Sequence, residues 1–171
     1  MRDARRKPIA YVRATAIRML ARRDYPRAAL EERLAGRGAD PAEVTRTLDE
    51  LERLGYLSDA RFAQMLVAQK SARFGKRAIA HAMRAQHVDA TAARAALDTL
   101  AGTDEMALAR AVWARRFRSA PDDERERGRQ IRFLVARGYG VAVALAVVGR
   151  SRADASDSCT DHEAGPDIDA G

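Results

Sequence analysis

Apolar residues recur along this chain at intervals of three and four rather than two, the spacing of helices that bury one face. The clearest case lies between Val44 and Phe62. Val44, Leu48 and Leu51 stand at i, i+4 and i+7, with Thr47 and Leu54 beside them, so one stripe of a helix is apolar. Gly55 ends that stripe, because a glycine at this position takes a left-handed backbone without a Cβ penalty, and Tyr56 and Leu57 fold back on the helix end. Ser58 then offers an N-cap and Asp59 a first-turn acid to a new helix whose apolar face begins at Phe62 and Leu66.

The same pattern extends in both directions. Ala10, Ala14, Ile17 and Ala21 mark a first helix, and Pro26 is placed at the first position of a second, which carries Leu30 and Leu34 and stops in Gly36-Arg37-Gly38. Asp40-Pro41-Ala42-Glu43 reads as the capped start of the third. Downstream, Phe62, Met65 and Leu66 define one helix, Ile79 and Met83 the next, and Ala93, Ala96, Leu97 and Leu100 a third, after a turn at Val88-Asp89. Thr103 is placed as the cap of a helix bearing Met106, Ala109, Trp113 and Phe117. Pro121 opens one with Ile131, Leu134 and Val135, and Gly138-Tyr139-Gly140 leads into Val141–Val148.

These segments repeat. Leu34, Met83 and Leu134 are separated by 49 and 51 residues, and Leu48, Leu97 and Val148 keep the same two offsets. A period near 50 predicts stacked supersecondary units. The expected fold is all-α, with three tandem three-helix, helix-turn-helix-like repeats in an elongated, curved array. Its parts are a flexible basic arm (1–8), repeats at 9–57, 58–101 and 102–149, and a disordered acidic tail (150–171). The tail is so assigned because it holds too little apolar surface to offset its ordering entropy.

Composition supports helices: hydrophobic residues make up 47% of the chain but aromatic ones only 5%. Charge adds a functional hint. The net charge is +7, yet residues 151–171 hold one arginine against six acids. The rest, with thirty basic and eighteen acidic groups, carries +12, which favours a polyanion or an acidic protein surface as partner. Cys159 is the sole cysteine, so neither an internal disulfide nor a thiolate metal cage can form. Arg13 and Arg18 interrupt the N-terminal apolar residues before a signal core develops, and no run is long enough to span a bilayer. A cytoplasmic monomer with no membrane contact is expected.

Catalytic chemistry finds no support. His81, His87 and His162 are dispersed, and there is no HExxH, CxxC or glycine-rich phosphate loop, so no catalytic residue, metal or cofactor is assigned. Basic rows are more informative. Arg125, Arg129 and Arg132 share a face at i, i+4 and i+7; Arg77, His81 and Arg84 do the same, with Arg73 and Lys76 near the start of their helix. Such rows can track phosphates with salt-sensitive, sequence-independent affinity. Reading of base edges is disfavoured, since the last third helix begins Val141-Ala142-Val143-Ala144, without a polar reader. Tyr56, Phe62, Trp113 and Tyr139 are expected to pack inside or between repeats.

Three stretches together resemble the RecX family of RecA regulators: Leu48-Asp49-Glu50-Leu51 through Leu54-Gly55-Tyr56-Leu57-Ser58-Asp59 with Arg61-Phe62-Ala63; Arg73-Phe74-Gly75-Lys76-Arg77 with Ile79; and Arg132-Phe133-Leu134 with Arg137-Gly138-Tyr139. The similarity covers about residues 9–149. It departs at His87, where the family usually has glycine, and in the last helix, which is short of charge. The resemblance implies three tandem three-helix repeats that bind the RecA–DNA filament and restrain its recombinase, ATPase and SOS co-protease roles, by groove binding or end capping, without a cofactor. Helical facing, not the family, nominates the contacts: Arg73, Lys76, Arg77, Arg84, Arg125, Arg129 and Arg132. Two other classes fit the basic body, a nonspecific module for single-stranded or duplex DNA and an α-solenoid adaptor for another acidic protein.

Overall fold

The computed structural model describes residues 9–149, so the arm and the tail lie outside it. Among the described residues every regular element is helical: α1 (Ile9–Leu20), α2 (Arg27–Ala35), α3 (Pro41–Arg53), α4 (Asp59–Lys70), α5 (Lys76–Ala85), α6 (Ala90–Asp98), α7 (Glu105–Ala114), α8 (Glu124–Ala136) and α9 (Val141–Val148).

Side-chain caps fix most of the starts. Asp40, Ser58, Asp89, Asp104 and Asp123 each accept a hydrogen bond from a backbone N–H of the first turn that follows, at 2.7–3.2 Å, which satisfies a group the helix itself leaves unpaired. Several boundaries differ from the sequence reading: α8 starts at Glu124 behind its Asp123 cap, not at Pro121, and α7 ends at Ala114, short of Phe117. Pro26 is the N-cap of α2 rather than its first residue: its backbone is extended (φ −71°, ψ 152°) and its carbonyl accepts from Leu30 N–H at 3.1 Å. α7 is capped by Asp104, not Thr103, the carboxylate one residue on being the stronger acceptor.

The helices associate in threes, and each triplet encloses its own core. The first core joins Val12, Ala16, Leu30, Leu34, Val44, Leu48, Leu51 and Leu57. Phe62, Leu66, Ile79, Met83 and Ala96 anchor the second, and Val112, Leu134, Tyr139, Ala144 and Val148 the third. Two compact units result, one up to Thr103 with α1–α6, the other from Asp104 with α7–α9.

One turn recurs before the third helix of every triplet. Ala39, Val88 and Tyr139 donate their N–H to the carbonyls of Leu34, Met83 and Leu134, five residues back, at 3.4, 3.1 and 3.2 Å. Such a closure needs a left-handed residue just before the donor. Gly38 (φ 76°), His87 (φ 54°) and Gly138 (φ 87°) supply it. Leu34, Met83 and Leu134 are all buried beneath their turns, so the offsets of 49 and 51 correspond to one repeated local structure.

Candidate functional site

A knot of charged groups joins the first two triplets. The Asp59 carboxylate, at the start of α4, accepts from the N–H of Arg27 and the N–H of Asp89, both at 2.7 Å. One side chain thus closes the open amides at the starts of α2 and α6 while lying at the favourable end of its own helix dipole. The Arg27 guanidinium bridges to Asp49 and Glu52 of α3, each at 2.6 Å. Burial works against that charge, but the hydrogen bonds and charges of the two acids outweigh it and hold the Arg27 pKa above its ordinary value. Arg61 donates to the carbonyls of Gly55 and Tyr56 and pairs with Asp24 at 2.9 Å, fixing the turn between α3 and α4.

The α5 row stands on this frame. Ile79 and Met83 bury one side of the helix completely, and Arg73, Lys76, Arg77 and Arg84 are exposed. Gly75 caps α5 without a side-chain bond and no acid occupies the first turn, so Lys76 and Arg77 add to the positive end of the helix dipole instead of offsetting it. Lys76 lies 3.7 Å from Asp98, with both side chains about half exposed, a contact that contributes little. Among the described residues Arg73, Arg77 and Arg84 meet no carboxylate. Four cations therefore face solvent with one loosely held acid among them.

The α8 row is differently balanced. Arg125, Arg129 and Arg132 line one groove of about 410 Å³, as their spacing predicts, but Asp123 and Glu126 line it too. Arg129 pairs with Glu126 at 2.8 Å and its guanidinium carbon lies 5.8 Å from the Phe117 ring centroid. Arg127, off the row, holds the bundle together: it donates to the Gly149 carbonyl at 2.8 Å and pairs with Glu124 at 3.3 Å, tying α8 to the end of α9. The two rows belong to different units.

The aromatic assignments divide. Phe62 and Tyr139 are buried and Trp113 half-buried, its indole N–H donating to buried Gln130 at 2.8 Å. Tyr56 is not a packing residue: it is 57% exposed, because the left-handed Gly55 turn sends Leu57 inward and the tyrosine outward. Glu31 and Glu32, close in sequence to Arg33 and Arg37, form no ion pair with either. Arg37 donates to the Arg33 carbonyl at 2.7 Å, and Arg33 lies 5.4 Å from the Tyr25 ring centroid. Among the described residues no group of three His, Cys, Asp or Glu could hold a metal ion, and no helix is long and apolar enough to cross a membrane. What the exposed rows can do is bind anions.

Fold and surface together define a tandem of three-helix domains with cationic faces. Family models for the first, second and third three-helix domains of RecX match residues 13–51, 58–97 and 103–148, in that order. The chain is 37% identical to the regulatory protein RecX of Leptothrix cholodnii over 145 residues, covering 85% of this chain and 92% of that one. It is 43% identical to that of Chromohalobacter salexigens over 128 residues, covering 74% and 84%. The crystal structure of RecX from Lactobacillus salivarius superposes with a TM-score of 0.69 at 15% identity, over 82% of this chain and 94% of that one, a likeness of fold. The chain belongs to the RecX family of regulatory proteins.

Proposed function

We propose that this protein binds the RecA–DNA filament in the cytoplasm and restrains its recombinase, ATPase and co-protease activities. It acts as a binding protein, not as a catalyst. The observation that carries the reading is the α5 row: Arg73, Lys76 and Arg77 stand exposed around a helix start that no side chain caps, Arg84 stands exposed in the last turn, and one weak acid contact reaches the row. Lys76 and Arg77 gain no stability from the dipole at that end of the helix, so their placement points outward, to a phosphate backbone or an acidic protein face. The α8 groove contributes less, since two acids share it with three arginines.

A filament offers many copies of each anionic feature, so separate weak contacts add through effective concentration. Bound along the filament groove, the protein shifts the protomers toward the state it prefers by its differential affinity, and it obstructs an incoming duplex. A module for bare DNA uses the same cations and is the second reading. Competition separates the two: filament on single-stranded DNA should displace the protein from the same DNA without RecA. Equal affinity for both, with a steep salt slope, supports the bare-DNA module instead.

A further inference from the structure

A groove of about 290 Å³ opens in the first unit where the start of α2 faces α4. Its floor is apolar, made by Phe62 and Leu66, which are almost buried, and half-buried Met65. At its lip stands Tyr25, with the guanidinium carbons of Arg23 and Arg33 at 4.5 and 5.4 Å from the ring centroid. Two like charges beside one ring repel each other, and among the described residues neither meets a carboxylate. Asp24, the acid at the groove, is already engaged by Arg61 at 2.9 Å. Other arginines of this unit, Arg13 and Arg27, do pair with acids. An unpaired guanidinium held over a ring keeps its N–H edge free for a planar acceptor, and this site holds two.

The occupant is set by what the groove leaves open. Stacking of a nucleobase needs a bare aromatic face, but both guanidinia lie over Tyr25 and Phe62 is only 5% exposed. The accessible surface is an apolar floor flanked by two cations, with Gln69 and Gln86 on the wall. Its complement is a short extended peptide with one apolar side chain between carboxylates. The chain carries one such peptide in its acidic segment: Asp167-Ile168-Asp169, where Ile168 is the sole large aliphatic residue of 151–171. In an extended segment alternate side chains point to opposite sides, so such a peptide would put its central isoleucine in the groove and its two carboxylates at the rim with the guanidinia. Asp167 lies eighteen positions after Gly149, a reach of up to about 60 Å when extended.

We propose that the groove framed by Arg23, Tyr25 and Arg33 is the docking site of the acidic segment centred on Asp167-Ile168-Asp169. The proposal is independent of filament binding, and none of its tests uses a filament. In the full chain, replacing Asp167→Asn, Ile168→Ser and Asp169→Asn together should shift the side-chain amide NMR signals of Gln69 and Gln86; unchanged signals overturn it. A synthetic peptide of residues 160–171 should then bind that substituted chain saturably. Arg23→Ser with Arg33→Ser in the same chain should weaken the peptide about tenfold or more, as should about 0.5 M salt. Retained helical circular dichroism excludes unfolding as the cause. Equal binding of a scrambled peptide, or tighter binding of oligo-dT at the same signals, contradicts the proposal. Signals that survive dilution place the segment in its own molecule, and signals lost on dilution place it on a second copy; either supports the docking.

Discussion

His87 holds a left-handed backbone where the equivalent turns have Gly38 and Gly138. A side chain in that conformation costs about 1 kcal/mol or more, so His87→Gly should stabilise the first unit by roughly that amount. Urea unfolding should show a higher midpoint with an unchanged slope. Tyr139 makes a second residue-scale case. Its ring fills the third core, yet its hydroxyl is buried without a hydrogen-bonding partner in the protein. Burial, reinforced by the Glu105 charge and opposed by Arg137 and Arg115, raises its pKa above the ordinary 10.0. The folded state therefore keeps the phenol proton more tightly than the unfolded chain does. Its contribution is complete below pH 10.0 and is lost as pH rises toward the higher folded value. Tyr139→Phe should remove this alkaline loss and, at neutral pH, stabilise by about 1 kcal/mol; melting temperature against pH from neutrality into the alkaline range checks both.

At the scale of elements, local signals marked most helices. Gly55, Ser58 and Asp40 act through backbone groups within three residues of themselves, which a linear reading can see. Asp59 was legible as a first-turn acid, but its partners, Arg27 and Asp89, lie 32 and 30 residues away. Nothing in local pattern reports such a bond. Nor does it report that Tyr56 points outward, since exposure depends on which residue of the turn the neighbouring helices cover. Because two helix starts share the Asp59 carboxylate, Asp59→Ala leaves one part-buried and one exposed amide without their acceptor and should cost about 1.5–3 kcal/mol. Thermal melts should show the loss in the first unit, with the unit from Asp104 onward retaining its own transition.

At the scale of the molecule, repetition was the most legible property. The offsets of 49 and 51 residues reappear as one turn built three times, over Leu34, Met83 and Leu134. Surface charge was legible only in part. Helical spacing put the cations of both rows on exposed faces; the α5 row meets one loosely held acid, Asp98 of α6, which no local pattern reports, whereas Asp123 and Glu126 crowd the α8 row from its own capped start. That is why the α5 row carries the functional reading. It is also why Arg23 and Arg33 escape a linear reading: they meet at Tyr25 from ahead of α2 and from its last turn and form no periodic row. The central claim is that the exposed α5 row holds the filament. Its most direct test is affinity for filament on single-stranded DNA at low salt, with Arg73, Lys76, Arg77 and Arg84 all changed to Glu and, separately, with Arg125, Arg129 and Arg132 so changed. The account predicts a loss of about 100-fold or more for the first set and a smaller loss for the second. Unchanged filament affinity in a folded protein lacking the four α5 cations would contradict it.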